Sequence, residues 1–286
     1  MVVPIYETLI DRVVIITGGS RGFGWYIAKK LLQEGAKVTL TAARSLEELD
    51  RAQTQAEDLV GPGRCITIQA DVRKWEDCER TVQQTLHTFG KIDVLINNAG
   101  RGPGEFWPKN SQDPIPFWSI PVNDWRSIID TNVTGVFQMT KAAMVPMRER
   151  KFGKIFSIST SLVTMVRTGI SAYGASKAGL ETAHVGWARE AKEFGIDINI
   201  LLPGGPSDTV FVTRDMVPGV IGERVGQDSA LLPGDVIVPA AVYMCTDAVN
   251  GLTGRRVIAK FWDNDLPAAD AFAKCIQPVH EHPEIM

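Results

Sequence analysis

The amino-acid sequence predicts an α/β fold with one doubly wound parallel β-sheet of about seven strands, flanked by helices on both faces. Seven short, apolar, β-branched runs occur at residues 13–16, 38–40, 66–68, 94–96, 155–158, 198–201 and 257–259. Stretches with helical spacing separate them, at about 21–34, 46–60, 74–89, 123–150, 172–194 and 234–247. Strands that are apolar throughout are buried on both faces, and their regular alternation with helices is typical of a parallel sheet.

Length and charge exclude several classes of protein. The 286 residues fit one domain, 1–286, since no linker or internal repeat interrupts them. The 30 Lys and Arg residues against 33 Asp and Glu residues leave a net charge of −3, which offers no basic field for nucleic acid. No apolar run reaches the roughly 18 residues of a membrane span. We therefore expect neither nucleic acid nor membrane as a partner.

The cysteines indicate a reducing compartment. Four are present, without a CxxC pair, and the N-terminal residues lack the pattern of a signal peptide. We expect a cytoplasmic protein whose cysteines are small buried hydrophobic side chains. The four are Cys65, Cys78, Cys245 and Cys275.

Two connections are longer than a compact α/β domain requires. Residues 101–121 hold five of the sixteen prolines, and residues 203–232 form a second long interruption. Both follow predicted strand ends, where doubly wound sheets bind ligands, so we interpret them as substrate-loop insertions that wall a pocket. A proline-stiffened surface loop or an oligomer contact is the alternative.

The C-terminal tail, 263–286, carries His280 and His282. We interpret this tail as a solvated terminus without a metal.

A glycine-rich turn, Thr17 to Gly24, follows the first apolar run and precedes a helical stretch. Such a turn lets the backbone approach a pyrophosphate without Cβ clashes and directs helix N–H groups at the anion. The spacing is TGxxxGxG and not the commoner GxGxxG. The residues predicted to bind a dinucleotide here are Gly18, Ser20, Arg21, Gly22, Phe23 and Gly24.

The end of the second strand indicates which dinucleotide binds. An NAD site places an acidic residue there for the ribose 2′-hydroxyl, whereas this chain has Ala42, Ala43, Arg44 and Ser45. The nearest acidic residues, Glu47 and Glu48, come later, on a predicted helix. Guanidinium groups bind phosphate well, so Arg44, Ser45 and Arg21 favour NADP(H) over NAD(H). Solvated surface charge is the alternative role for either arginine.

Tyr173 and Lys177 stand four residues apart at the start of a long helical stretch. Residues at i and i+4 share a helix face, so the ammonium group can lie beside the phenol and lower its pKa. A phenol with an ordinary pKa near 10 is a poor acid–base catalyst at neutral pH, and a nearby cation corrects this.

Taken together, these motifs resemble those of the short-chain dehydrogenase/reductase family, over roughly residues 10–260, with its Rossmann-type sheet. Asp71-Val72, Asn97 to Gly100, Asn132 and Pro203-Gly204 extend the resemblance. It implies that Tyr173 is the general acid in reduction and the base in oxidation, that Lys177 binds the nicotinamide ribose, and that Asn132 holds a water linking Lys177 to solvent. The resemblance also implies that Tyr173, like Lys177, contacts the cofactor. The further cofactor contacts it implies are Asp71, Val72, Asn98, Ala99, Gly100, Pro203, Gly204 and Thr209.

The substrate-binding hydroxyl is open between two residues. In the family a serine stands thirteen residues before the tyrosine, which here is Thr160; a shift of one residue selects Ser161. We keep both as candidates and prefer Ser161, because an unbranched hydroxyl rotates more freely toward a carbonyl. Its role is to hydrogen-bond the oxygen that gains negative charge during hydride transfer.

The function that follows is an NADP(H)-dependent oxidoreductase that interconverts a ketone or aldehyde and an alcohol, acting as a carbonyl reductase on a small molecule. A sugar, polyol or other secondary-alcohol dehydrogenase is the alternative enzyme. A dinucleotide-binding regulator without turnover is the alternative from another class. The family resemblance also implies a homotetramer or homodimer that packs through 123–150 and 172–194.

Overall fold

Seven parallel strands form one sheet in the order β3-β2-β1-β4-β5-β6-β7 in the computed structural model, which describes residues 6–102, 115–207 and 231–277. The predicted seven-stranded doubly wound sheet is confirmed. That the chain forms one domain stays a prediction. The strands are β1 Val13–Ile16, β2 Lys37–Ala42, β3 Cys65–Gln69, β4 Val94–Asn97, β5 Gly153–Ile158, β6 Ile196–Leu202 and β7 Arg256–Ile258.

The helices match the predicted segments, with three differences. The stretch 123–150 is broken in the middle by a π-helical turn, Asp130–Thr134, and two helices were not predicted, Leu162–Met165 and Ala268–Cys275. Within the described residues the helices are α1 Gly22–Gln33, α2 Leu46–Val60, α3 Trp75–Phe89, α4 Val122–Ile129, α5 Gly135–Arg150, α6 Leu162–Met165, α7 Ser171–Ala191, α8 Val238–Met244 and α9 Ala268–Cys275.

Helices cover both faces of the sheet, because successive strand residues point to opposite sides. Val14 and Ile16 of β1 pack with α1, α2, α8 and α9 on one face, whereas Ile15 packs with α3, α5 and α7 on the other. All four residues of β1 are completely buried. The predominantly apolar runs of the sequence are therefore explained by two covered faces.

The order of the strands sets the position of the site. β1 lies between β2 and β4, so the connections after β1 and after β4 leave in opposite directions and open a crevice at the carboxyl edge.

The four cysteines are buried, and burial raises the pKa of the Cys245 thiol to about 12. Within the described part of the chain, no helix has both the length and the apolar character needed to cross a bilayer.

Candidate active site

The glycine turn after β1 is held in place by Asn98, which follows β4. The Asn98 side-chain amide donates to the carbonyl oxygens of Thr17 (2.9 Å) and Gly18 (2.8 Å), and the Thr17 hydroxyl accepts from the backbone N–H groups of Asn98 and Ala99. Gly18 has φ +61°, and a Cβ there would lie 3.0 Å from the Cα of Ala99. The turn therefore requires glycine and is fixed to the end of β4 by hydrogen bonds within the protein.

A cleft of about 680 Å³ runs along the carboxyl edge from the β2 end to α7. Its wall contains most of the predicted residues. Gly24 instead packs behind the turn, where a Cβ would lie 2.6 Å from Asn98 Nδ2, and Thr209 lies outside the described residues. The predicted residues on the wall are Gly18, Ser20, Arg21, Gly22, Phe23, Arg44, Ser45, Asp71, Val72, Asn98, Ala99, Gly100, Thr160, Ser161, Tyr173, Lys177, Pro203 and Gly204.

At the β2 end of the cleft, a carboxylate stands among the residues predicted to bind the 2′-phosphate. Glu48, in the first turn of α2, pairs with Arg21 (3.0 Å) and accepts from the Ser20 hydroxyl (3.5 Å). The Ser45 hydroxyl caps α2 by accepting from the Glu48 backbone N–H (3.1 Å). Sequence reasoning placed Glu48 out of reach on a helix, but the helix begins close enough for its side chain to return to the cleft.

Asp71 and Val72 shape the next part of the wall. Two side-chain nitrogens of Arg73 hold the Asp71 carboxylate, Nη2 at 2.6 Å and Nε at 3.0 Å, and these hydrogen bonds keep the pKa of Asp71 below its usual value. The Val72 side chain fills the space over Gly135, where a Cβ would lie 2.6 Å from Val72 Cγ2. Val72 thus presents a fixed apolar surface to the cleft.

Tyr173 and Lys177 occupy the first two turns of α7, on one side of the helix. Lys177 Nζ lies 5.7 Å from the centroid of the Tyr173 ring and donates to the carbonyl oxygen of Ile158 at 2.7 Å. Burial lowers the pKa of Lys177 to about 8, and the negative charge of Glu181 opposes this shift. Lys177 can therefore gain or lose a proton close to neutral pH.

The pKa of Tyr173 differs from the sequence-based expectation. Burial raises the pKa of the phenol, and a hydrogen bond from the Thr160 side chain opposes that rise. The expectation considered the cation next to the phenol and left out the removal of the phenol from water. The phenol of Tyr173 therefore stays protonated at physiological pH and can donate its proton.

The two candidate hydroxyl groups have different environments. Thr160, directly after β5 and Ser159, hydrogen-bonds Tyr173. Ser161, which the sequence-based preference selected, is the N-cap of α6: its Oγ accepts from the Thr164 backbone N–H (3.1 Å) and shares a hydrogen bond with the Thr164 hydroxyl (2.8 Å). The structure thus pairs Thr160 with the tyrosine and leaves Ser161 engaged in capping.

Asn132 lies in the π-helical turn between α4 and α5 and is completely buried. Its Oδ1 accepts from the Arg101 backbone N–H (2.8 Å), and its Nδ2 donates to the Arg101 carbonyl (2.8 Å) and to Ser176 Oγ (2.9 Å). The side chain therefore ties the chain after β4 to α7, behind the cleft wall. A π-turn inside a helix often marks a functional site.

Sequence reasoning missed a polar network below Thr160. The Ser159 hydroxyl donates to Glu181, which also pairs with Arg256 (3.0 Å), and Arg256 donates to the Thr160 carbonyl (2.6 Å). Glu181 stands four residues after Lys177, so the helical period could have revealed it. Nothing in the sequence indicated that Arg256, at the start of β7, reaches the end of β5.

The cleft fits a dinucleotide on the evidence of its own residues. It is continuous from Arg44 to Tyr173, and Gly22, with φ +54°, leaves open space where a Cβ would project. A backbone turn at a helix N-terminus, with arginines at its far end, supplies the donors that pyrophosphate and phosphate require.

Comparison with known proteins identifies the family. Residues 12–215 match the family model described as short chain dehydrogenase. The chain belongs to the short-chain dehydrogenase/reductase family and is an oxidoreductase, as its motifs predicted.

Individual relatives agree with this assignment. A 3-oxoacyl-[acyl-carrier-protein] reductase of Synechocystis is 32% identical over 77% of this chain and 81% of its own. An 11-beta-hydroxysteroid dehydrogenase-like 2 protein of Arabidopsis thaliana is 33% identical over 87% of this chain and 73% of its own. A short chain dehydrogenase of Burkholderia cenocepacia, solved in complex with NADP, superposes with a TM-score of 0.74 at 28% identity and covers 87% of this chain and 96% of that one.

Proposed function

We propose that this protein is an NADPH-dependent carbonyl reductase that converts a small ketone or aldehyde into the corresponding alcohol. The observation that carries the proposal is the hydrogen bond between the Thr160 and Tyr173 side chains, at the end of the same cleft that begins with the glycine turn. Two adjoining hydroxyl groups are what a carbonyl oxygen needs when it gains negative charge and then a proton.

NADPH, when bound, supplies the hydride that adds to the carbonyl carbon. Tyr173 donates its phenolic proton to the carbonyl oxygen, so that the C=O group becomes a CH–OH group. Thr160 orients that oxygen with its hydroxyl. Lys177, whose pKa of about 8 suits proton exchange near neutral pH, returns a proton to the Tyr173 phenolate.

The choice of NADP(H) rests on Arg44 and Arg21 at the β2 end of the cleft, and on the NADP complex of the Burkholderia relative. Gly18, Ser20 and Gly22 would hold the pyrophosphate, and Asp71 and Val72 would flank the adenine. A cell keeps NADP(H) largely reduced, which favours reduction over alcohol oxidation.

The substrate is a small molecule. The Synechocystis relative is a reductase of 3-oxoacyl groups, and the Arabidopsis relative is named for hydroxysteroids. A β-keto thioester and a steroid ketone therefore belong in the first panel, beside simple aldehydes, ketones and quinones.

The experiment follows the loss of NADPH absorbance across this panel, with NADH in parallel and Tyr173→Phe as the matched variant. The proposal expects turnover with NADPH that falls at least 10³-fold in Tyr173→Phe, on the order expected when the proton donor is removed. NADPH binding by Tyr173→Phe should equal that of the wild type. Equal turnover in both proteins would reject the role of Tyr173. Polyol oxidation with NADP⁺, in the absence of any carbonyl reduction, would favour a polyol dehydrogenase.

Self-association is the remaining part of the proposal. Phe137 and Val145 on α5 are 45% and 61% exposed, and Phe137 stacks beside Trp187 of α7 with ring centroids 6.2 Å apart. We place the contact of a homodimer or homotetramer on this face, since exposed apolar side chains of neighbouring helices favour burial against a second copy. Light scattering on the wild type and on Val145→Glu tests it.

A further inference from the structure

The backbone of Thr160 is held by a side chain from β7, two strands away from β5 in the sheet. Arg256 begins β7 and extends its guanidinium to the Thr160 carbonyl, at 2.6 Å from Nη2. The same group donates from Nε to Glu181 (3.0 Å) and from Nη1 to Gln277 (2.7 Å). Three separate acceptors therefore fix the plane of the guanidinium.

Glu181 completes the arrangement from α7. One carboxylate oxygen pairs with Arg256, and the other accepts a hydrogen bond from the Ser159 hydroxyl. The Arg256 and Glu181 side chains are only 18% and 17% exposed, so their attraction is poorly screened. This ion pair thus joins the residues directly after β5 to β7 and α7.

We propose that Glu181 and Arg256 are positioning residues that set the direction of the Thr160 hydroxyl toward Tyr173. This inference rests on the proposed function, in which that hydroxyl orients the carbonyl oxygen. Thr160 lies between the end of β5 and the cap of α6, in neither element.

The surrounding contacts show why the ion pair is needed. The Ile158 carbonyl accepts from Lys177, and the Ser159 N–H donates to the Leu201 carbonyl (2.9 Å). These bonds fix the two residues before Thr160. The backbone carbonyl of Thr160 itself accepts from Arg256. Loss of the Arg256 guanidinium therefore lets the Thr160 backbone rotate, which changes the direction of the Thr160 hydroxyl. A displacement of about 1 Å at a reacting group can reduce the rate about 10²-fold.

The test compares Arg256→Met and Glu181→Gln with a matched control, Arg12→Met. Arg12 also forms an ion pair, with Asp247 (2.7 Å; side chains 9% and 44% exposed), but it precedes β1 at the amino ends of the strands, away from the cleft. We expect kcat to fall about tenfold in Arg256→Met and Glu181→Gln, by the sensitivity of positioned groups. KM and the NADPH dissociation constant should change by less than about twofold, and Arg12→Met should keep the wild-type kcat.

A double-mutant cycle shows whether the effect passes through Thr160. In a Thr160→Ala background, Arg256→Met should have almost no further effect, because the hydroxyl that it positions is gone. A wild-type kcat in both single variants, or a full additional tenfold loss in the Thr160→Ala background, would overturn the inference.

Hydrogen–deuterium exchange of residues 157–166 supplies a readout that does not need turnover. Arg256→Met and Glu181→Gln should exchange faster than wild type in this segment, and Arg12→Met should not. Exchange at the wild-type rate would contradict the inference even if no substrate is reduced. Absence of Tyr173-dependent turnover in the wild type, with faster exchange in the variants, would reject the proposed function and support the positioning role.

Discussion

Gly174 lies directly against the backbone of Met165, so that a Cβ at position 174 would stand 1.8 Å from the Met165 carbonyl oxygen. Gly174 follows Tyr173 in α7, and Met165 ends α6, the short helix that begins after Ser161. The absence of a side chain at 174 therefore lets α6, and with it the Thr160 segment, pack against the tyrosine.

Gly174→Ala should destabilise the protein by about 2–4 kcal/mol, because a contact with backbone cannot be relieved by a side-chain rotation. It should also lower kcat. Urea unfolding and NADPH turnover provide the measurements. Gly179→Ala is the matched control on the same helix, since a Cβ there meets nothing within 4 Å. That change should be neutral or stabilise by up to about 1 kcal/mol. Equal effects of the two substitutions would contradict the packing argument.

The division of work between Thr160 and Ser161 predicts opposite phenotypes. Thr160→Ala should lower kcat about 10²- to 10³-fold, as expected when a donor to a developing oxyanion is lost, with little change in stability. Ser161→Ala should cost about 1 kcal/mol of unfolding free energy through the lost cap and leave kcat within about threefold. Steady-state kinetics and thermal unfolding of both variants decide the matter. A larger kcat loss in Ser161→Ala than in Thr160→Ala would show that Ser161 supplies the substrate-binding hydroxyl.

Glu48 should weaken the binding of NADPH. Its carboxylate stands among the groups proposed for the 2′-phosphate and occupies Arg21, so the two negative charges compete for one cation. Glu48→Gln should lower the NADPH dissociation constant about three- to tenfold, equivalent to about 1 kcal/mol for a partly exposed charge, and affect NADH less. Glu47→Gln, one residue away and outside the cleft wall, is the control. Fluorescence titration with both cofactors measures the difference, and a weaker NADPH affinity in Glu48→Gln would refute it.

The pKa of Lys177 makes stability depend on pH in a defined window. Burial lowers the pKa of Lys177 from 10.5 in the unfolded chain to about 8. Between these values the unfolded state binds a proton that the native state releases, so this group makes the free energy of unfolding rise with pH from about 8 to 10.5. Below pH 8 both states are protonated and the cost of burying the charge is constant.

Lys177→Met lacks this titration. The stability of Lys177→Met minus that of the wild type should therefore be constant below pH 8 and decrease as pH rises toward 10.5. Urea denaturation of both proteins at several pH values measures the difference. A difference that does not vary with pH would show that Lys177 keeps an ordinary pKa in the folded protein.

The sequence predicted the sheet well because its signals are local. Each strand contains a short run rich in apolar and β-branched residues, and Tyr173 and Lys177 lie within one helix, where spacing alone determines which face they share. The partners of Thr160 and Ser161 could not be read in this way. Thr160 hydrogen-bonds Tyr173, whereas the adjacent Ser161 caps α6. Which partner each hydroxyl finds depends on how α6 packs.

Long-range polar contacts were beyond sequence reasoning for the same reason. Arg256 reaches Thr160 across 96 positions of sequence, and no spacing rule connects them. Glu48 was expected to lie away from the end of β2, because its distance from the strand was counted along the chain. The helix instead turns its side chain back toward Arg21.

The order of the strands also has a consequence for how the chain assembles during synthesis. β1, β2 and β3 form one wing of the sheet, and β4, β5, β6 and β7 then extend the other wing one at a time. Every new strand joins a free edge, so none has to insert between two strands already paired. The strands that carry the glycine turn and the β2 end of the cleft can thus pair before Tyr173 is translated, and the strands that follow extend an existing sheet edge.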